Sequence, residues 1–289
     1  MASISSYISL CRPPLSLVAA FSAATGYALV PHRPLNGLPA PVLAVLLLAC
    51  GASALNQWQE RSLDAKMMRT RNRPLPAGRV SPAHALIFSC LLIFGGLAFC
   101  AIAGGSAAFA LGCLALLWYN GTYTWLKKRT AFATVPGAGI GMVPPAIGWV
   151  AAGGALFDAR LAALCFIFFL WQIPHFWLLL MDHGDDYARA GFPTLTSVVS
   201  RPQLGRIAFA WIAAAALASL ALPLYGTVRS SAIWLSLLLP AAWIIWSARS
   251  LAAGNDELMP VPSLFRKMNL YLLLLMFLVS FESMVSRVP

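Results

Sequence analysis

Charged residues are scarce in this chain. Only 10% of its 289 residues are Asp, Glu, Lys or Arg, whereas 60% are hydrophobic and the mean hydropathy is +0.77. About a quarter of the residues of an ordinary soluble domain are charged. A chain with so little charge cannot cover itself with a hydrated surface. The composition therefore excludes a soluble globular protein and predicts that lipid surrounds much of the chain.

Acidic residues are the scarcest charged type, with nine Asp and Glu against 20 Lys and Arg, and the formal net charge is +11. The basic residues are scattered through short loops between apolar runs, so we predict no nucleic-acid partner. The six cysteines lack CxxC spacing and lie in or beside apolar runs, which argues against a zinc site or a disulfide framework. No cleaved signal peptide is indicated, so the first helix is expected to remain.

Nine apolar runs are long enough to cross a bilayer, which takes about 20 residues. They predict an all-α, polytopic membrane helix bundle of about nine transmembrane helices, in a single domain over residues 1–289. The fifth run contains PGAGIGMVPPAIGW, and such a Gly- and Pro-rich helix is expected to line a cavity inside the bundle. The runs lie at roughly 14–30, 40–58, 82–103, 106–124, 134–152, 160–181, 205–225, 230–249 and 267–286.

The basic residues also predict the orientation. All but four of the 20 Lys and Arg residues fall on the side of the N-terminus and the even-numbered loops; the exceptions are Arg33, Arg160, Arg229 and Arg287. Positive charge accumulates on the cytoplasmic side of membrane proteins. We therefore expect an integral protein of a bacterial inner membrane, with its N-terminus and the loops of its active site in the cytoplasm.

Carboxylates cluster at the cytoplasmic ends of the second and sixth predicted helices. Asn56, Glu60 and Asp64 follow one another at i, i+4 and i+8, which places them on one helix face. Asp182 and Asp186 repeat the i, i+4 spacing, with Asp185 beside them. Each acid alone is explained as a helix-end charge. Two clusters on one membrane face instead favour a site for Mg²⁺, which binds a few carboxylates and completes its shell with water and phosphate oxygens.

A basic segment follows the first acidic cluster. Arg69, Arg71 and Arg73 alternate along it, and Arg79 lies beyond. A positive-inside signal would explain their charge but not the interleaved acids. Carboxylates, Mg²⁺ and arginine forks together are the groups that hold a diphosphate, and the apolar surroundings favour a diphosphate with a long hydrocarbon tail.

Three stretches resemble a known family. The run NQWQERSLDAKMMRTRNRPLPAGRVSP looks like the first acidic motif of the UbiA superfamily of intramembrane prenyltransferases, and within it most like the haem farnesyltransferases. YTWLKKRTAFATVPGAGIGMVPPAIGW and FLWQIPHFWLLLMDHGDDYARAGFPTL point the same way and stand in the expected order. The resemblance covers most of residues 50–200.

The resemblance implies a nine-helix bundle around a central cavity, Mg²⁺ as cofactor, farnesyl diphosphate as donor and haem B as acceptor, with haem O as product. It also suggests association with a haem A synthase or a terminal oxidase assembly. By position, the catalytic residues are Asn56, Glu60, Asp64 and Asp186, and the diphosphate-binding residues are Arg69, Arg71, Arg73, Lys127 and Lys128. The metal ligands are Glu60, Asp64, Asp182, Asp185 and Asp186, and the haem-binding residue is His175.

Three positions depart from the family pattern. Glu60 stands where an aspartate is usual, which keeps the charge but lengthens the side chain. Ala133 replaces an expected asparagine in the fifth helix, and Thr194 replaces a methionine. None of these changes removes an acidic cluster. The loss of an amide at position 133 removes a polar group from the fifth helix and weakens the part of the resemblance that implies the acceptor.

Aromatic residues and one histidine have two explanations each. Tyr119, Tyr123 and Trp171 would shield an allylic cation by cation–π contact, or they form the aromatic belt common at membrane interfaces. His175 lies in an otherwise apolar helix, where a polar residue is functional by default. It either binds haem iron or donates a hydrogen bond to neighbouring backbone.

Three other functions fit parts of the pattern. A UbiA-type prenyltransferase for an aromatic or quinone-precursor acceptor would share the acidic motifs, although WQIPHF argues against it. A haem or lipid transporter would place its charges near the bilayer midplane, whereas these acids lie at the rim. A non-catalytic assembly factor for a respiratory oxidase would not need intact acidic motifs.

Overall fold

The structure, a computed structural model, describes residues 3–254 and 261–285. Within those ranges the chain is helical and contains no β-strand. A π-helix, Leu117–Tyr123, connects α4 to α5, and short 3₁₀ turns join several of the other helices. The α-helices are α1 (Ile4–Leu10), α2 (Pro13–Leu29), α3 (Pro39–Asp64), α4 (Pro82–Leu116), α5 (Thr124–Leu126), α6 (Thr134–Gly137), α7 (Val143–Ala151), α8 (Ala159–Arg189), α9 (Arg201–Leu220), α10 (Ser231–Ala253) and α11 (Val261–Val285).

Most of these helices are long and apolar enough to cross a membrane. By length and composition, six continuous helical stretches among the described residues qualify, and α1 with α2, bent by 54°, makes a seventh if the pair is one span. Large apolar side chains point outward from them, among them Leu91 and Phe94 on α4. The chain is therefore an integral, multi-pass membrane protein, and the predicted all-α membrane bundle is confirmed.

One long stretch contains two of the predicted crossings. Inside α4, Gly104 and Gly105 have non-helical backbone angles, and φ of Gly105 is +60°, which suits glycine. A methyl group on Gly112 would lie 3.0 Å from Leu97 Cδ2 and 3.3 Å from Cys100 Sγ. In a straight helix, positions 97 and 112 would be about 22 Å apart. The chain therefore reverses at the two glycines, so the halves of α4 correspond to the third and fourth predicted runs.

The fifth predicted run is a broken helix in the interior. It consists of α6, a 3₁₀ turn at Ala138–Met142, and α7, whose residues from Pro145 to Trp149 are all buried. Gly148 lies against the Ala23 carbonyl of α2, and Gly26 of α2 lies against Pro145. Only glycine allows helix backbones to approach so closely. The Gly- and Pro-rich composition thus serves close packing against α2.

All six cysteines are free thiols, so the disulfide framework against which their spacing argues is not formed. Two of them, Cys100 and Cys165, are buried in the large apolar core that α2, α3 and the later helices share. They act there as small hydrophobic side chains.

Replacing Gly148 with alanine tests the contact between α2 and α7. The added methyl group would overlap the Ala23 carbonyl oxygen, and overpacking of this kind costs about 1–3 kcal/mol of unfolding free energy. We expect Gly148→Ala to lower the thermal unfolding midpoint in detergent. Gly95→Ala is the matched control, because its methyl group would meet Leu47 Cδ1 at an ordinary 3.6 Å. Equal stability of the two variants would contradict the contact.

Candidate active site

The first acidic cluster is buried at the C-terminal end of α3. Asn56, Glu60 and Asp64 are between 1% and 4% exposed. Their i, i+4, i+8 spacing brings them to one helix face, as the sequence predicts. Ionised carboxylates are costly to bury without partners, so the contacts of these side chains decide what the cluster can do.

Glu60 is paired with a lysine from the other side of the site. Lys127, just after α5, places Nζ 2.7 Å from the Glu60 carboxylate. The same ammonium lies 5.3 Å from the ring centre of Tyr123 and 6.0 Å from that of Phe192. Lys127, a predicted diphosphate ligand, therefore stands beside a predicted metal ligand and is surrounded by aromatic rings.

Asp64 is held by an arginine of the basic segment. Arg73 Nη1 donates to both carboxylate oxygens, at 2.9 and 2.8 Å, and Thr70 Oγ1 donates to the Asp64 carbonyl at 2.8 Å. Burial, and after it the nearby charge of Arg12, lowers the pKa of Arg73, while the Asp64 carboxylate opposes this shift. Several positive charges thus converge on one buried carboxylate.

Asp186 of α8 reaches the segment that follows α3. Its oxygens accept the backbone N–H groups of Met68 at 2.8 Å and Arg69 at 3.0 Å, and Arg189 Nη2 at 3.1 Å. Arg69 Nη2 donates to the Tyr187 hydroxyl at 2.9 Å. The two predicted acidic motifs are therefore joined through residues 68–73, although they are more than a hundred positions apart.

The remaining predicted ligands are not drawn into this cluster. Asp182 is exposed and pairs with His183 at 3.1 Å, and Asp185 is exposed as well. The backbone of His183 is non-helical, with φ −128° and ψ 16°, so the regular i, i+4 face predicted for Asp182 and Asp186 is interrupted. Arg71 and Lys128 are exposed as well. The side chains of these two basic residues and of the two acids therefore all face outward.

A small cavity of about 70 Å³ lies beside the Glu60–Lys127 pair. Ala133 and Thr194, two of the positions that depart from the family pattern, both line it. The missing amide at position 133 and the added hydroxyl group at position 194 therefore both change the lining of this cavity. The walls are Tyr123, Lys127, Thr130, Ala131, Ala133, Thr134, Phe176, Leu179, Leu180, Tyr187, Phe192, Pro193 and Thr194.

Carboxylates of this kind suit a hard divalent cation. Among the described residues, no three His, Cys, Asp or Glu side chains are close enough to hold a metal ion by themselves. Glu60, Asp64 and Asp186 are nevertheless oxygen donors, and Mg²⁺ commonly takes only one or two carboxylates and fills its shell with water and substrate phosphate. The donor set therefore fits Mg²⁺ bound together with a diphosphate.

His175 of α8 is enclosed by aromatic rings. Its ring centre lies 4.6 Å from that of Trp171 and 4.6 Å from that of Phe265 on α11. Nδ1 is buried and has no hydrogen-bond partner in the described part of the chain. The alternative of a histidine bonded through Nδ1 to neighbouring backbone is therefore not observed there.

Two groups of residues escaped the sequence prediction. Arg12, counted only as an N-terminal charge, approaches Arg73 and Tyr119 from the junction of α1 and α2. Its φ of +47° is unusual for a residue other than glycine. The second group, Gln59, Asn120 and Thr124, connects α3 with the π-helix. Neither a bent junction nor a π-helix has a reliable local sequence signal.

Comparisons of the sequence with known proteins identify its family. The sequence model of the UbiA prenyltransferase family matches residues 17–277. A protoheme IX farnesyltransferase of Geobacter sulfurreducens is 47% identical over 217 residues, which are 75% of this chain and 80% of that protein. One from Oleidesulfovibrio alaskensis is 33% identical over 278 residues, 96% of each chain.

Solved structures share the fold. A UbiA homologue from Aeropyrum pernix K1 superposes with a TM-score of 0.73, at 19% identity, over 93% of this chain and 97% of that one. A UbiA homologue from Archaeoglobus fulgidus bound to GPP and Mg²⁺ gives 0.66, at 14% identity, over 95% and 99%. These identities are low, so the two structures support the fold alone.

A membrane helix bundle that the model of this family matches over residues 17–277 defines the class, an intramembrane prenyltransferase. The length of the family match, and relatives at 47% and 33% identity over 75% and 96% of this chain, define the family. The chain belongs to the UbiA prenyltransferase family.

Replacing Arg73 with glutamine tests the pairing of Asp64. Removing one partner of a buried ion pair leaves an uncompensated charge and costs about 3–5 kcal/mol of unfolding free energy. We expect a lower thermal unfolding midpoint in detergent for Arg73→Gln. The double variant Asp64→Asn with Arg73→Gln should recover part of the loss, because the buried charge is then gone.

Arg71→Gln is the matched control for this measurement. It makes the same chemical change in the same segment, but Arg71 is exposed, and surface substitutions usually stay within about 0.5 kcal/mol. If Arg71→Gln and Arg73→Gln destabilised the protein equally, the pair between Arg73 and Asp64 would not contribute to the fold.

Proposed function

We propose that this protein transfers a farnesyl group from farnesyl diphosphate to a vinyl group of haem B, with addition of water, to form haem O. The observation that carries the proposal is the set of buried carboxylates from α3 and α8 at one end of an apolar bundle. Arg73 and Lys127 pair with those of α3, and the backbone of the segment after α3 binds that of α8. The names of the two relatives, which match along most of this chain, support the choice of substrates.

In this proposal the donor diphosphate binds next to the basic side chains of the cluster. Arg73 and Lys127 pair with the buried acids, Arg69 bonds the Tyr187 hydroxyl beside Asp186, and Arg12 adds charge from the α1–α2 junction. Planar guanidinium groups bind phosphate oxygens in pairs, and lysine acts as a point charge. In the proposed complex, Glu60, Asp64 and Asp186 hold the divalent ion. When bound, Mg²⁺ supplies positive charge that makes the diphosphate a better leaving group.

The reaction begins with cleavage of the allylic C–O bond, whose electron pair leaves with the diphosphate. Lys127 and the arginines stabilise this developing negative charge in a site of low dielectric. The π electrons of a haem vinyl group then form the new C–C bond. Water adds to the resulting cation and loses a proton, which leaves a hydroxyl group on the product.

The apolar walls would keep water away until the C–C bond has formed. Tyr123 and Phe176 line the cavity next to Lys127, and Tyr119 stacks on Tyr123 with ring centres 5.9 Å apart. Aromatic faces stabilise a nearby cation. In the same proposal Trp171 supports His175, which binds the haem iron, and the acidic end of the bundle faces the cytoplasm from a bacterial inner membrane.

An assay with purified protein tests the proposed reaction. We expect farnesyl diphosphate, haem B and Mg²⁺ to yield a porphyrin whose mass has increased by a farnesyl group and a water. Asp64→Asn should lower the rate at least about 100-fold, because a buried charge at the reacting diphosphate is lost. Asp158→Asn, at the other end of α8, is the control and should retain activity, since the only partner of Asp158 within the described ranges is the neighbouring Arg160.

The same assay separates the alternatives. A prenylated aromatic or quinone precursor, without any farnesylated haem, would assign the protein to the other prenyltransferases of the family. Movement of haem across vesicles without a chemical change would support a transporter instead. Loss of activity in Asp158→Asn to the same extent as in Asp64→Asn would contradict the assignment of the site.

Replacing His175 with alanine tests the proposed haem ligand. We expect haem titrated into the purified protein to bind at least about tenfold more weakly, because an axial bond to iron is lost. The absorption spectrum of the bound haem should change as well. His84→Ala is the control, since His84 is exposed at the start of α4. Unchanged affinity and spectrum in His175→Ala would remove the ligand role.

A further inference from the structure

The helix that carries the two stacked tyrosines is wound as a π-helix. Residues Leu117–Tyr123 have this form between α4 and α5. Such a turn holds one residue more than an α-helical turn; it is rare, and it is frequently found at functional sites. The extra residue rotates everything that follows by about 100° relative to a continuous α-helix. The winding therefore decides where the ring of Tyr123 points.

Side chains satisfy the backbone of this turn. A π-helix shifts the hydrogen-bond register, so carbonyl groups at its ends need other donors. Gln59 Nε2 donates to the Asn120 carbonyl at 3.0 Å, and Thr124 Oγ1 donates to the Tyr119 carbonyl at 2.8 Å. Asn56 Nδ2 in turn donates to Thr124 Oγ1 at 3.1 Å.

Asn120 ties the turn to α3. Its Nδ2 donates to the Ala52 carbonyl at 3.0 Å and to Gln59 Oε1 at 3.2 Å. Its Oδ1 is buried without a hydrogen-bond partner among the described residues. A buried acceptor left unpaired costs stability, whereas leucine would fill similar space without that cost. Asn120 is therefore better explained by the geometry that it imposes than by stability.

The π-helix sets the positions of two tyrosine rings that lie next to the proposed reacting groups. Tyr119 and Tyr123 stack with an interplanar angle of 16°. Tyr123 lies 5.3 Å from Lys127 Nζ and lines the cavity, and the Glu60 charge acts on both tyrosines. If residues 117–123 returned to α-helical winding, the tyrosine pair would rotate away, whereas the ion pair with Glu60 at 2.7 Å retains the Lys127 ammonium.

We propose that Gln59 and Asn120 are positioning residues, which hold the π-helix so that Tyr119 and Tyr123 face the allylic cation and keep water from it. The proposal rests on the function proposed above. Loss of the two positioning contacts leaves the diphosphate ligands in place but exposes the cation. Water then attacks the allylic carbon in place of the acceptor, loses a proton and gives farnesol, with diphosphate as the other product.

The ratio of farnesol to farnesylated haem measures this role. We expect Gln59→Met and Asn120→Leu, which keep side-chain size but remove the donors, to raise the farnesol fraction at least about fivefold and to lower kcat for haem prenylation about tenfold. KM for farnesyl diphosphate should change less than about twofold. Without haem, both variants should still release farnesol at least as fast as the unmodified protein.

Ser219→Ala is the matched control for general loosening of the bundle. It removes a buried hydrogen bond between α9 and α11, from the Tyr271 hydroxyl to Ser219 Oγ at 2.8 Å. An unchanged farnesol fraction in Gln59→Met, or an equal rise in Ser219→Ala, would overturn the positioning role while the proposed function stands. If the unmodified protein releases neither product from farnesyl diphosphate, the proposed function fails and the positioning role falls with it.

Discussion

The structure depends on keeping carboxylates ionised inside an apolar bundle. Moving such a group out of water costs several kcal/mol unless an opposite charge or several hydrogen-bond donors replace the lost hydration. Asp64 obtains these from Arg73, Glu60 from Lys127, and Asp186 from two backbone N–H groups and Arg189. Apart from Arg189, these partners lie outside α3 and α8, in the segments that follow α3 and α5. The need to compensate buried charge therefore draws α3, α8 and two loop segments together.

This requirement also explains why the residues that stabilise the fold are the same as those proposed to act in the reaction. The cations that neutralise the acids are those that a diphosphate would contact, and the acids are those that a divalent ion would contact. Arginine and lysine differ in how they do this, through a flat fork and a point charge respectively. The aromatic rings around Lys127 lower the local dielectric, which strengthens each of these electrostatic contacts. In the proposed reaction, one set of charges would therefore stabilise both the fold and the transition state.

Local patterns predicted much of the bundle but not its irregular parts. The apolar runs marked the crossings because hydropathy is a property of contiguous residues, and the i, i+4 spacing identified the buried face of α3. The same spacing misled for Asp182, because the backbone at His183 leaves the helix and turns that acid outward. Arg12 was read as a terminal charge, because nothing in its neighbourhood shows that a bend at the α1–α2 junction brings it to Arg73.

The sequence by itself determined the membrane class, the helical crossings and the kind of chemistry, since hydropathy, helical periodicity and the residue types of a motif are read over a few turns. Only the tertiary structure decided that Lys127 meets Glu60, that Asp186 binds the segment after α3, and that the helix with Tyr119 and Tyr123 is wound as a π-helix. These contacts join residues separated by about seventy to more than a hundred positions. Their energies depend on burial and on distance in space, which arise only when the helices have packed.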